Sequence, residues 1–315
     1  MASPMPNYAQ GIPEDMLLGH IAWWTVTKPR LTHDDVLTLV TDLGMDPAVV
    51  PKPPRGGDAF KRACRYSERK GLPIPLSENT ANFLIRPVSQ DHEEIERHIV
   101  LEIVDPDGKR LEYHDAVHMR YNRADGKLHV GAKKISVDLD PMVEDTVQFF
   151  MANLEEATKY IDAQVIRRMI RDQLQLLHAI SVRKGGSVYF IPRTETPTVE
   201  ALEQFVDHCG PDSKFHALPL IDDTKQREMI QAAFEVEVHE EATQLITELN
   251  QKRLHAEEMT TTAMAMYRDK LNDLRSRHGE YAELVEQEMA KATTEVEALE
   301  TAFIEYLSSG LVKTD

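Results

Sequence analysis

"HIVLEIVDPDGKRLEYHDAVHMRY", residues 98–121, carries two alternating runs around one turn signal. Apolar and polar side chains alternate on both sides of Asp105-Pro106-Asp107-Gly108. A period of two sends successive side chains to opposite faces of a strand, and Asp-Gly between two such runs signals a β-hairpin. The alternation continues outward. "NFLIRPV" (82–88) precedes it, and "KLHVGAKKI" (127–135) follows after a second Asp-Gly turn at 123–126. Residues from about 83 to 135 therefore predict an antiparallel meander. Leu111, Tyr113, Val117, Met119 and Tyr121 are expected mostly on one face.

Helical signals flank this block. Upstream, "MLLGHIAWW" (16–24) is an apolar block expected in a core. "LTHDDVLTLVTDLGM" (31–45) is a short helix that Thr32 can cap and Gly44 can stop. "AFKRACRYSERKG" (59–71) is a second helix, with Asp58 at its start and Phe60 and Cys64 facing inward. Downstream, Asp140-Pro141 opens a helix that breaks near Asp162 and ends near Ala179. A hairpin, "VRKGGSVYFIPR" (182–193), a helix, "TVEALEQFVDHCG" (198–210), and a strand, "FHALPLI" (215–221), complete a small α+β unit.

Residues 223–308 contain no proline and a single glycine, Gly279. Apolar residues recur there at spacings of three and four, with one change of phase, which is the pattern of coiled-coil packing. A continuous helix of about 85 residues would be ~130 Å long. A helical hairpin folding at His278-Gly279 is the alternative. The stripe of Leu245, Leu249, Met259, Met266, Met289, Val296, Leu299 and Phe303 is the expected oligomer interface.

The expected fold class is α+β. A helical module (1–79) leads into a β meander (80–140) and then a helix with the small α+β unit (141–222). A coiled-coil arm (223–308) and a tail (309–315) follow.

Charge narrows the function. Acidic residues outnumber basic ones 53 to 36, a net −17, so the chain does not coat nucleic acid with its whole surface. Residues 51–70 depart from this, with seven basic side chains against Asp58 and Glu68, a net +5. Lys61, Arg62, Arg65 and Arg69, with Arg183 and Lys184 on the 182–193 hairpin, form the candidate anion or nucleic-acid footprint. Contacts of this kind are salt-sensitive and largely blind to base sequence.

No phosphate loop, dinucleotide fingerprint, nucleophile elbow or zinc-protease motif occurs, so no catalytic residue and no cofactor are expected. Gly185-Gly186 lies between two strands, not before a helix, and reads as a turn rather than a phosphate cradle. His114 and His118 would share a strand face, with His98 and His129 on neighbouring strands. Four residues of strand separate the first two by about 13 Å, too far for one ion, so no metal is expected. Cys64 and Cys209 are far apart in sequence and read as reduced core residues of a cytoplasmic protein. No run is apolar enough to span a membrane, and the N-terminus lacks the pattern of a signal peptide.

"FKRA" (60–63), "VRKGGSVYFIP" (182–192) and the terminal helical segment together resemble an uncharacterised family of prokaryotic and phage proteins. The resemblance covers most of the chain and implies no activity for any residue. The leading expectation is a non-enzymatic structural or interaction protein that oligomerises with itself or with a coiled-coil partner. A nucleic-acid-binding module and a subunit of an enzyme complex are the alternatives.

Overall fold

The computed structural model describes Pro13 and residues 16–131, 139–183, 185–286 and 289–313. In chain order, β1 (Leu17–Thr25), α1 (His33–Asp42) and α2 (Gly56–Tyr66) come first. The meander follows as β2 (Arg69–Pro73), β3 (Thr80–Gln90), β4 (Glu94–Val104), β5 (Arg110–Asn122) and β6 (Leu128–Val130). Then come α3 (Asp140–Lys159), α4 (Ala163–Leu176), β7 (Ile180–Ser181), β8 (Tyr189–Pro192), α5 (Thr196–His208) and β9 (Lys214–Ile221). The last part holds α6 (Thr224–Leu254), β10 (Met259–Thr260), α7 (Thr261–Val285), α8 (Ala290–Ser308) and β11 (Val312–Lys313). The fold is α+β.

Two units emerge, and they are interleaved rather than consecutive. One comprises Met1–Thr27, Leu39–Val49 and Arg167–Asp315; the other comprises Lys28–Thr38 and Val50–Ile166.

In the second unit, β2 to β6 form an antiparallel sheet in sequence order. Helices α2 and α3 supply the other half of its core. Phe60 stacks on Tyr121 at 5.3 Å between ring centroids and meets Phe150 edge-on at 5.8 Å. Ile95, Ile99, Leu101, Val117 and Met119 are buried on the same side of the sheet. The meander carries several register shifts, and the one between Ile99 and Val100 matters most for its faces. Ile99 faces Val117 but Val100 faces Asp115, which leaves Ala116 as a β-bulge. The extra residue reverses the alternation, so Tyr113 is exposed while Val117, Met119 and Tyr121 are buried. The side chain of Leu111, the 132–135 end of the expected meander, and Lys184 lie outside the described residues.

In the first unit the strand order is β7-β8-β1-β9, all antiparallel. The apolar block at 17–24 is therefore a central strand of this sheet and not part of a helical module. The 182–193 stretch holds the loop and second strand of a hairpin whose first strand is β7. Gly185 has a φ of +64°, and Gly186 N donates to Arg183 O at 2.8 Å across the turn.

Neither a single arm nor a hairpin forms at the C-terminal end. Three helices pack together instead. Lys291–Glu235, His239–Glu295 and Arg253–Glu305 pairs advance along α6 and α8 in step, so these two run parallel. Arg277 reaches Glu237 and Glu241, and Tyr267 reaches Glu248, so α7 runs antiparallel to α6. The chain turns where Ala256 and Glu286 adopt left-handed backbone, with φ of 49° and 52°. Gly279 lies inside α7 and breaks nothing.

Candidate functional site

On the face of the five-stranded sheet away from the α2–α3 core, the β4–β5 register sets His98 opposite His118. Their rings stack with centroids 3.7 Å apart and planes 6° from parallel. Asp115 sits between them, with an oxygen 3.1 Å from His98 Nδ1 and another contact of 2.9 Å to His118 Nε2. The bulge makes this possible. Residues three apart on a regular strand face opposite ways, and the extra residue at Ala116 turns Asp115 and His118 to one side. It also separates the expected pair. His114 pairs with Glu112 at 2.7 Å and faces Leu101 in the register, on the core side.

Glu96 completes the cluster. Its Oε1 lies 3.5 Å from His98 Nε2 and 3.2 Å from Arg120 Nε, and Ser89 Oγ donates to its Oε2 at 3.3 Å. Partial burial works against the Glu96 carboxylate, but the contacts from Arg120, His98 and Ser89 outweigh it and hold its pKa below the usual value. His98 Nε2 is shut off from solvent and accepts or donates no hydrogen bond. Glu96, His98 and His118 offer one ligand atom each, all within 4.8 Å of one another. His129 pairs with Arg120, one row along the sheet.

Several residues of the expected basic footprint are engaged within the fold. Arg62 donates to the carbonyls of Ala157 and Tyr160, the latter at 2.8 Å, and so caps the C-terminal end of α3. Arg69 binds Asp145 at 2.8 Å and Thr146 Oγ1 at 2.6 Å, and its guanidinium lies 5.1 Å from the Phe149 ring centre. Lys61 pairs with Asp58 at 3.8 Å. Arg65 is exposed. Arg183 is also exposed but belongs to the other unit. Sequence spacing marks which residues share a helix face, but it does not show which of them neighbouring segments engage.

The expected oligomer stripe is likewise engaged within the chain. Leu245, Leu249, Met259, Met289, Val296 and Leu299 are buried in the three-helix core, and Phe303 packs against it. Only Met266 stands clear, at 61% exposure.

A charged cluster in the three-helix bundle went unnoticed in the sequence. Arg277, 8% exposed, lies between Glu237, Glu241 and Asp273. Glu237 Oε2 also accepts from Ser181 N at 2.9 Å, tying α6 to β7. Burial raises the Glu237 pKa despite that bond and Arg277. The i, i+4 spacing of Asp273 and Arg277 was the available signal. The two cysteines are separate and buried, and burial pushes both thiols up to about 12. At that value the thiolate is too scarce for nucleophilic work.

These features define a two-unit α+β protein with a three-helix C-terminal bundle. Among the described residues no helix is long and apolar enough to cross a membrane. The chain belongs to a family of unknown function (DUF6744), whose model matches residues 17–309. No curated protein and no solved structure matches it.

Proposed function

We propose that this is a non-enzymatic interaction protein that self-associates through the outer face of α6. One observation supports this reading. The helix carries two apolar stripes. Ile230, Phe234, Val238, Ala242, Leu245 and Leu249 are buried in the bundle. Met229, Ala232 and Val236, at i, i+3 and i+7, form a line on the opposite side, with Met229 and Val236 44% and 51% exposed. A second α6 laid against this line would cover it, as a helix does to any apolar stripe that its own chain leaves open.

Charge opposes the association and so makes it testable. Residues 224–308 carry nine basic and eighteen acidic side chains, a net −9. Repulsion between two such bundles weakens as the screening length falls from ~10 Å at 0.1 M salt to ~3 Å at 1 M. Light scattering at micromolar concentration should show a dimer that strengthens with added salt, and Val236→Glu should give a monomer. A monomeric wild type at both salt concentrations would refute the reading. Nucleic-acid binding by residues 51–70 has weaker support, because Arg62 and Arg69 are engaged in holding α3.

A further inference from the structure

We propose that Glu96, His98 and His118 form a binding site for a first-row divalent cation, with zinc the best chemical match. Two imidazoles and a carboxylate are a donor set that zinc accepts readily, and three protein ligands leave a fourth position for water. The spacing fits. Tetrahedral zinc with bonds of ~2.1 Å sets its ligand atoms ~3.4 Å apart, and His98 Nε2 lies 3.5 Å from Glu96 Oε1.

The surroundings select the lone pairs. Asp115 lies beside His98 Nδ1 at 3.1 Å, and a proton held there leaves the lone pair on Nε2. That nitrogen is the one without a hydrogen-bond partner. A buried polar atom left unpaired costs free energy, and a cation at this point removes the cost. Ser89 Oγ steadies the far oxygen of Glu96 at 3.3 Å.

Binding requires two adjustments. The stacked rings cannot both direct in-plane lone pairs at one point, so His118 turns about its side chain, which is 31% exposed. Arg120 shares or releases Glu96 Oε1, which its own 58% exposure allows. Arg86, opposite His98 on β3, is a second cation, in the row next to that of Arg120. Glu96 pairs with Arg120 at 3.2 Å, so a divalent ion adds to a site that holds both signs.

The full chain, stripped with a chelator, is titrated with CoCl2 and then ZnCl2. The expected result is one ion per chain, with visible cobalt absorption of low-symmetry imidazole ligation that zinc abolishes. His98→Gln, His118→Gln and Glu96→Gln should each weaken zinc binding at least ~10-fold, and Asp115→Asn about 10-fold through loss of ring orientation. His114→Gln should leave affinity unchanged, because the bulge turns that ring to the other face. Circular dichroism confirms that each variant is folded. The absence of a stoichiometric site at ~100 µM zinc would overturn the proposal. So would a site indifferent to both His98→Gln and His118→Gln, or one that His114→Gln weakens equally.

Discussion

Replacing Arg277 by Ala removes a cation that three carboxylates share in the α6–α7 contact. Breaking a buried ion pair from one side costs about 3–5 kcal/mol, because the remaining charge is stranded. Here the side chains of Glu237, Glu241 and Asp273 are 30%, 35% and 50% exposed, so water can recover part of their hydration. A total of about 2–3 kcal/mol follows, with Glu237, whose pKa burial raises, the most affected of the three. It should also depend on pH. Burial already raises the folded pKa of Glu237, and removing Arg277 raises it further. A carboxyl with a raised folded pKa contributes stability that is present below its unfolded pKa. That contribution is lost as pH rises through the folded value. Each pH unit in that window changes stability by up to ~1.4 kcal/mol. Acidifying from about pH 7.5 to about pH 5.5 should thus recover part of the deficit. The assay is urea unfolding followed by tryptophan fluorescence, since both tryptophans, Trp23 and Trp24, lie in the unit that contains α6 and α7. Adding Glu237→Gln should restore part of the loss at neutral pH. A deficit below ~1 kcal/mol at pH 7.5, or one equal at both pH values, would refute this reasoning.

Two other substitutions test the fold. Gly279→Ala should stabilise the tryptophan-bearing unit by about 0.5–1 kcal/mol, because the glycine sits inside α7 and a Cβ there meets nothing within 4 Å; a loss of stability would show that α7 does not run through this point. Arg62→Ala should lower the stability of the meander unit by about 2 kcal/mol through the freed carbonyls of α3, while Arg65→Ala should change it by less than ~0.5 kcal/mol, both read by far-ultraviolet circular dichroism during urea unfolding.

The meander, the 182–193 hairpin and the helix break at Asp162 were legible because each rests on local chemistry. Alternation, Asp-Gly turns and a helix-capping aspartate act within a few residues. What could not be read depends on a single residue or on distant contacts. Ala116 is one extra residue in a strand, and nothing in its identity marks a bulge, yet it decides which histidines meet. The turn after Leu254 contains neither glycine nor proline. It rests on Ala256 in left-handed backbone, on Thr260 accepting from Ala263 N at 3.2 Å, and on Met259 entering the core. Three consecutive threonines, 260–262, were the signal passed over, since β-branched side chains disfavour helix. Gly279, the residue that looked like a breaker, was misleading because the cost of ~1 kcal/mol for a helical glycine is small beside the burial of Leu274, Tyr281 and Val285 around it. The stripe at 245–303 was read correctly as apolar. Its partners were expected in another chain and lie in the same one.

The interleaving of the units sets an order of events on the ribosome. Strand β1 emerges first, yet both of its sheet partners, β8 and β9, are encoded about 165 to 200 residues later. The meander unit is almost contiguous and can close as soon as residue 166 has left the exit tunnel. Its core then needs nothing still to be made. The earliest-made strand must wait, with Trp23 and Trp24 uncovered, until the rest of its sheet arrives. Closing so long a loop is slow, because its entropy is lost before the strand pairs form. During synthesis residues 17–24 therefore remain an apolar stretch without strand partners until β8 and β9 have been made.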